Sequence, residues 1–482
     1  MDKEERNSMR VDEIPFQWNT VRSSKTYEED KRLDASFYSY DIVKARILIE
    51  ELKRVGIGVK RLGDDFLSAK IFWPGRFKRK YVSRKEGKPF LMPSEVFMFL
   101  PRARKFITDF PKEVLIEKEW ILITRSGTIG RCIISNELLS KFVVSDDLIR
   151  IIPSDKNLVG YVYAYLNTWV GQTFLKKTKY GVTVKHIEPQ HVESIPIPII
   201  PQIEKEVNEK ILKAHKLLEE AQELLLKAVG TIYAELGLPQ IDEGEIEYFG
   251  GKRGKSAKVF ITKFSELSLR LDASFHKPIL SLLRKILREK ENNGKYKLQE
   301  LGSISEIFTP PRFKRFYVKD HSKGIPLLQG AHIPMIKPLD IKYLWKDMKN
   351  INAYVLNKNW ILVTCSGTLG RVGLVRDYWA GWAATNHITR IISKDINPGY
   401  LTAYLQSAYG QYQLESLSYG GVVEEIGEAG ELIKNILIPV PTNNELEEKI
   451  GNLVMQAYDK KDQANRIEEE AMRLLEDNLK QK

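Results

Sequence analysis

The sequence predicts an α+β chain: two similar mixed α/β domains in tandem, each followed by a long helix, the two helices forming an antiparallel coiled coil. Three observations predict it. A set of short blocks recurs once, about 240 residues downstream. A 4-3 apolar spacing follows each copy. Within each copy, β-branched runs alternate with aromatic and leucine positions at helical spacing.

The blocks keep their order. Arg32-Leu33-Asp34-Ala35-Ser36-Phe37 recurs from Arg270, and Pro74 to Val82 (PGRFKRKYV) recurs as Pro310 to Val318 (PPRFKRFYV). Trp120 to Thr124 followed by Ser126-Gly127-Thr128-Ile129-Gly130-Arg131 recurs as Trp360 to Thr364 and Ser366-Gly367-Thr368-Leu369-Gly370-Arg371. Leu148 to Ile152 matches Ile388 to Ile392, Ala164-Tyr165-Leu166 matches Ala403-Tyr404-Leu405, and Ile197-Pro198-Ile199 matches Ile438-Pro439-Val440. The offset stays within 236–241 residues, far beyond a solenoid period of ~20–50, so each repeat is a whole domain with its connector. Between the blocks the copies diverge: Phe90 to Phe110 has little in common with Leu327 to Met348. A held frame with divergent stretches suits two domains that do one job on two different targets.

In chain order, residues 1–29 form an N-terminal segment and 30–200 the first domain. Trp120 to Thr124 and Val144 to Ile152 read as buried strands there, and Gly160 to Phe174 reads as helical. Residues 201–238 form a helix whose seam is Ile203, Val207, Ile211, Ala214, Leu218, Ala221, Leu225, Ala228 and Ile232. Prolines precede it, and Gly237 with Pro239 ends it. Residues 239–268 are acidic, then rich in glycine and lysine, and read as a linker or exposed hairpin. Residues 269–440 repeat the domain, with Trp360 to Thr364 and Ala384 to Ile392 as strands and Gly399 to Leu417 helical. Residues 441–482 repeat the helix with the series Leu446, Ile450, Leu453, Ala457, Lys460, Ala464, Ile467, Ala471, Leu474 and Asn478, in which Lys460 and Asn478 are polar interruptions.

Composition narrows the function. At 482 residues the chain holds two to four domains. Eight tryptophans, 21 tyrosines and 19 phenylalanines argue against a disordered chain, and no apolar run approaches the ~18 residues of a spanning helix. The start, Met1-Asp2-Lys3-Glu4-Glu5-Arg6, lacks the apolar stretch of a signal peptide, and two cysteines suit a reducing compartment, so a cytoplasmic protein is expected. A net charge of +12 favours a polyanionic partner.

The basic loops sharpen that expectation. Arg76, Lys78, Arg79 and Lys80, interleaved with Phe77 and Tyr81, are matched by Arg312, Lys314 and Arg315 with Phe313 and Tyr317. Clustered cations after a proline, at the same place in both copies, form a phosphate-gripping patch. The Ser-Gly-Thr-hydrophobic-Gly blocks offer a second candidate, because Ser126, Thr128, Ser366 and Thr368 carry hydroxyls that can reach phosphates. The bland reading of the same blocks is a tight turn that closes the domain core.

Catalysis finds no support. Gly254-Lys255-Ser256 has Phe249 where a phosphate-binding loop needs glycine. Pro310-Pro311 follows Thr309 and precedes Arg312, which is not the motif of amino-methyl transfer. The seven histidines are scattered, and His186 and His191 lack the glutamate of a metalloprotease helix. No cofactor and no metal site is expected. Two other readings stay open: a DNA methyltransferase or nuclease with a divergent site, and a coiled-coil scaffold that binds no DNA.

The doubled order of the Arg-Leu-Asp-Ala-Ser-Phe motifs, the Ser-Gly-Thr-hydrophobic-Gly motifs and the proline boundaries leading into long helices resembles the specificity subunit of type I restriction–modification systems. The resemblance spans essentially the whole chain. It implies that the repeats are target-recognition domains, each reading one half of a split double-stranded DNA site. It also implies that the helices are conserved regions whose coiled coil sets the spacer and docks two methyltransferase (modification) subunits. A nuclease-translocase (restriction) subunit joins that complex, no membrane is involved, and the subunit itself is not an enzyme. The linker from Gly237 to Leu269 is longer and more acidic than the family suggests. The basic loops at Arg76 and Arg312 are not a family signature.

Overall fold

The computed structural model describes residues 39–177, 186–241, 259–264, 267, 271–273, 275–419, 425–426 and 428–480. The Arg-Leu-Asp-Ala-Ser-Phe motif at Arg32, part of its copy at Arg270, and most of the expected linker lie outside them. The chain forms two compact units that interleave along the sequence. One contains residues through Lys80, Asp109–Lys213 and the end of the chain from Ile467; the other contains Tyr81–Thr108 and Ala214–Arg466.

The first unit is built on an antiparallel four-stranded sheet in the order Ser68–Phe72, Leu148–Pro153, Ile121–Thr124, Cys132–Ile134. The strand Ile121–Thr124 is central and wholly buried, as a run of β-branched and leucine residues requires. Ile121 faces Ile151 on one side and Ile134 on the other. The second unit repeats this sheet as Ser305–Phe308, Ile388–Ser393, Ile361–Thr364, Val372–Leu374. A two-stranded ladder closes each repeat, Gly58–Arg61 with Pro196–Ile199 and Tyr296–Glu300 with Leu437–Pro441.

Two expected elements are each broken in the middle, identically in both repeats. The strand expected over 144–152 is Val143–Val144 and Leu148–Pro153, parted by a bend; its copy is Ala383–Ala384 and Ile388–Ser393. The helix expected over 160–174 is Val159–Asn167 followed by Trp169–Lys177, and its copy is Pro398–Gln406 followed by Ala408–Ser416. Thr168 and Ser407 cause the second break. Each turns its hydroxyl to a carbonyl of the preceding helix (Tyr165 and Tyr404, both 2.6 Å) and accepts from the amide three residues on (both 3.3 Å). Such local bonds cap the new helix and stop the old one.

The long helices run over Pro201–Leu236 and Asn444–Lys480, ~54 and ~56 Å at 1.5 Å per residue. Gly237, at φ 66°, ends the first, and the Leu238 amide reaches back to the Tyr233 carbonyl at 2.9 Å. All nine seam residues expected on the first helix are buried. The helices pair antiparallel: Lys210 meets Glu470 at 3.6 Å in the first unit, and Glu220 meets Lys460 at 2.6 Å in the second. Gly399 lets its short helix touch the second long helix; a Cβ there would lie 2.2 Å from the Gly451 carbonyl oxygen.

The second helix departs from its expected seam. Lys460 is half-buried in the pair with Glu220, whereas Lys461 is 1% exposed. The buried face also takes in Val454, Tyr458, Asn465, Leu475 and Leu479, because the helix packs on domain cores as well as on its partner helix; its end from Ile467 belongs to the first unit, where Leu475 and Leu479 join the core of the first repeat. Lys461 sits over the rings of Trp379 (4.1 Å), Tyr458 (4.9 Å) and Phe99 (5.2 Å). Burial pulls its pKa down to about 8 from 10.5. Between those values the unfolded chain holds a proton that the folded chain lacks, so stability rises with pH across the window. Lys461→Met is expected to flatten this rise. Urea unfolding at about pH 8 and about pH 9.5 measures it as a wild-type-minus-variant difference.

Candidate nucleic-acid interface

Three chain segments converge in each repeat: the basic loop, the bend that breaks the expected strand, and the Ser-Gly-Thr turn. A buried arginine organises the bend. Arg150, fully buried, donates to the carbonyls of Val144 (3.2 Å), Ser145 (3.1 Å) and Leu148. Arg390, equally buried, donates to Ala384 (2.7 Å), Thr385 (2.9 Å) and Ile388. Burial lowers both guanidinium pKa values to about 10, so both stay charged at neutral pH. Five donors in a rigid fork satisfy three carbonyls that a bent strand would otherwise leave without a ladder.

The bend presents Asp146 and Asp147 in the first repeat. Arg79 leaves the basic loop to bind Asp146 at 2.5 Å, and so anchors the loop to the bend. Lys80 pairs with Asp109 at 3.0 Å, but both side chains are two-thirds exposed, and such a pair contributes little. Arg76 and Lys78 are exposed and make no ion pair among the described residues. The first loop therefore offers two free cations carried on an anchored base. The second repeat follows the same plan with Arg315, which donates to Asn386 at 3.2 Å. Arg312 is exposed, 4.0 Å from Glu425, and Lys314 is exposed beside the Phe316 ring.

The Ser-Gly-Thr turns are firmly built. Thr124 and Thr364 donate their hydroxyls to the carbonyls of Thr128 (2.5 Å) and Thr368 (2.6 Å) and accept from the amides of Arg131 and Arg371 (both 3.0 Å). Gln172 and Gln411 fasten the turns to the neighbouring helices through the carbonyls of Gly130 (2.8 Å) and Gly370 (2.9 Å). Gly127, Gly130, Gly367 and Gly370 all have positive φ, which explains the two glycines of each motif. The Ser126 hydroxyl is taken by Asp147, and that of Ser366 lies 3.4 Å from Glu425, while Thr128 and Thr368 stand exposed at the tips.

The two sites differ in charge. In the first, Arg125 is buried against the Trp73 ring at 4.0 Å and pairs with Glu188 (2.5 Å) and Asp147 (3.6 Å). In the second, Cys365 replaces Arg125, and Asn386 and His387 replace the two aspartates. Burial, then Arg315 and Arg312, hold the His387 pKa below its usual value, so this imidazole is neutral at pH 7. Sequence reasoning missed the bend residues and Arg125. The available signal was Arg150 and Arg390, a charge repeated inside a duplicated apolar run.

Residues 69–227 and 293–471 each match the family model of the type I restriction modification DNA specificity domain, more than half of the chain in two segments. The chain belongs to this family. It is a DNA-specificity subunit of a type I restriction–modification system with two tandem specificity domains. Similar solved structures include the type I S subunit from M. genitalium, with a TM-score of 0.32 and 13% identity over 88% of this chain and 95% of that one. The HsdS subunit from Thermoanaerobacter tengcongensis has a TM-score of 0.26 and 12% identity over 88% and 95% of the two chains. No curated protein is significantly similar to the specificity subunit. Among its described residues no helix is long and apolar enough to cross a membrane, and no group of three or more His, Cys, Asp or Glu could hold a metal ion.

Proposed function

We propose that each repeat of this specificity subunit reads one half of a bipartite DNA site, with Arg76, Lys78, Arg312 and Lys314 gripping phosphates. Arg79 and Arg315 act beneath them as loop anchors. Ser126 and Ser366 steady the turns, and Thr128 and Thr368 present hydroxyls at the exposed tips. The observation that carries this reading is the duplicated arrangement: a basic loop fastened by one arginine to a bend that another, buried, arginine holds open. The paired long helices set the spacer and dock two methyltransferase subunits, and a nuclease-translocase subunit completes the complex in the cytoplasm.

On this reading the subunit performs no chemistry. Purified alone, it is expected to transfer no methyl group from S-adenosylmethionine to duplex DNA and to cut none. Adding the methyltransferase subunit should produce methylation. Stoichiometric methylation by the lone chain would instead favour an enzyme with a divergent site.

A further inference from the structure

The stretches that diverge between the repeats contain a matched pair of short segments. Val96 to Pro101 (VFMFLP) begins within the short helical turn Glu95–Phe97, Ile333 to Pro338 (IPMIKP) follows the turn Gly330–His332, and each leads towards the next strand. Both belong to the second unit, and they meet there. Met98 faces Met335 in an antiparallel bridge; the Phe99 amide donates to the Pro334 carbonyl at 2.7 Å and the Ile336 amide to the Phe97 carbonyl at 2.9 Å. The repeat offset carries Phe97 to Pro334, Met98 to Met335 and Phe99 to Ile336, so each bond is the image of the other.

The coiled coil grips this bridge with the same symmetry. Gln222 donates its side-chain amide to the Phe99 carbonyl at 2.8 Å, and Asn465 donates to the Ile336 carbonyl at 3.0 Å. Gln222 is 2% exposed and Asn465 is 1% exposed. Each lies just past the midpoint of its helix. The Phe99 ring stands edge-on to Tyr458 at 5.2 Å. Buried amides aimed at two matched carbonyls are costly to leave unpaired, so the bridge is held rather than incidental.

We propose that this bridge is a clasp that positions the two recognition domains, so that half-site separation is set by the clasp as well as by helix length. The inference rests on the bipartite reading above. It follows that a recognition domain can be exchanged only together with a compatible clasp segment. Phe99, Gln222 and Asn465 are positioning residues; specificity for each half-sequence lies elsewhere.

Two sets of variants test the clasp in the methyltransferase complex. Met98 and Met335 form the non-hydrogen-bonded kind of cross-strand pair, whose Cα atoms lie ~4.5 Å apart, within the range a disulfide spans. Met98→Cys with Met335→Cys should therefore crosslink under mild oxidation; burial raises the thiol pKa values of Cys132 and Cys365 and keeps them inert. The oxidised protein should select, from a randomised duplex DNA library, the wild-type half-sequences at the wild-type spacing. Gln222→Leu with Asn465→Leu and Phe99→Pro should select the same half-sequences, with discrimination against spacers one base pair longer or shorter reduced by roughly tenfold. If the triple variant fails to fold, the Gln222→Leu/Asn465→Leu pair, which leaves the backbone intact, takes its place. Failure to crosslink, or undiminished spacer discrimination in a folded variant, overturns the clasp. Failure of the wild-type complex to select any two-part sequence overturns the bipartite reading instead, while crosslinking still reports on the clasp.

Discussion

Alanine at Arg76, Lys78, Arg312 and Lys314 together is expected to flatten the log–log salt dependence of duplex DNA binding by about 3.6, at ~0.9 per lost phosphate contact. At low salt the affinity should fall on the order of a hundredfold, and the ranking of DNA sequences should stay the same, because phosphate contacts position without specifying. Arg79 and Arg315 behave differently on this account. Arg79 is tied to Asp146 and Arg315 to Asn386, so alanine there frees the loop from its base instead of deleting one phosphate contact. Asp146→Asn, which preserves a hydrogen-bond acceptor, should leave the slope unchanged. Titrations across a salt series check both statements. An unaltered slope in the fourfold variant would make the loops solvated surface.

Arg390→Leu is expected to destabilise the second repeat by on the order of 3–5 kcal/mol. The change strands the carbonyls of Ala384 and Ile388 inside the protein and leaves that of Thr385 with only the Ile388 amide at 3.3 Å, and an unsatisfied buried acceptor costs ~1–3 kcal/mol. Lysine should not rescue it, since a point-like ammonium does not reproduce a fork that spans three carbonyls. Arg150→Leu should do the same in the first repeat. Thermal melting with hydrogen exchange at residues 384–391 measures the effect. A loss under about 1 kcal/mol would mean that the bend is held by its neighbours and not by the arginine.

The frame was legible because duplicated apolar runs leave few choices: Ile121–Thr124 and Ile361–Thr364 each have four buried residues in a row. The long helices were legible from their 4-3 seams, yet the second was misread at Lys460 and Lys461. Periodicity identifies the face that meets a partner helix, but not how far burial extends when the helix also packs into domain cores. The basic loops were visible as charge, but which cation is free was not. Arg79 is committed to a residue 67 positions away, a choice made by tertiary structure alone. The clasp was hidden for a similar reason. Its two segments share little beyond a methionine and a proline, and their bonds run through the backbone, which carries no sequence signature.

On the proposed reading, this chain selects a two-part DNA sequence for its complex. Co-expression with the cognate methyltransferase subunit, followed by mapping of methylated bases across the host DNA, tests that claim most directly. Methylation is expected to be confined to one sequence of two specific halves separated by a spacer of fixed length and arbitrary composition, and to be lost when the chain is omitted. Methylation at an uninterrupted single motif, or methylation that persists without the chain, would contradict it.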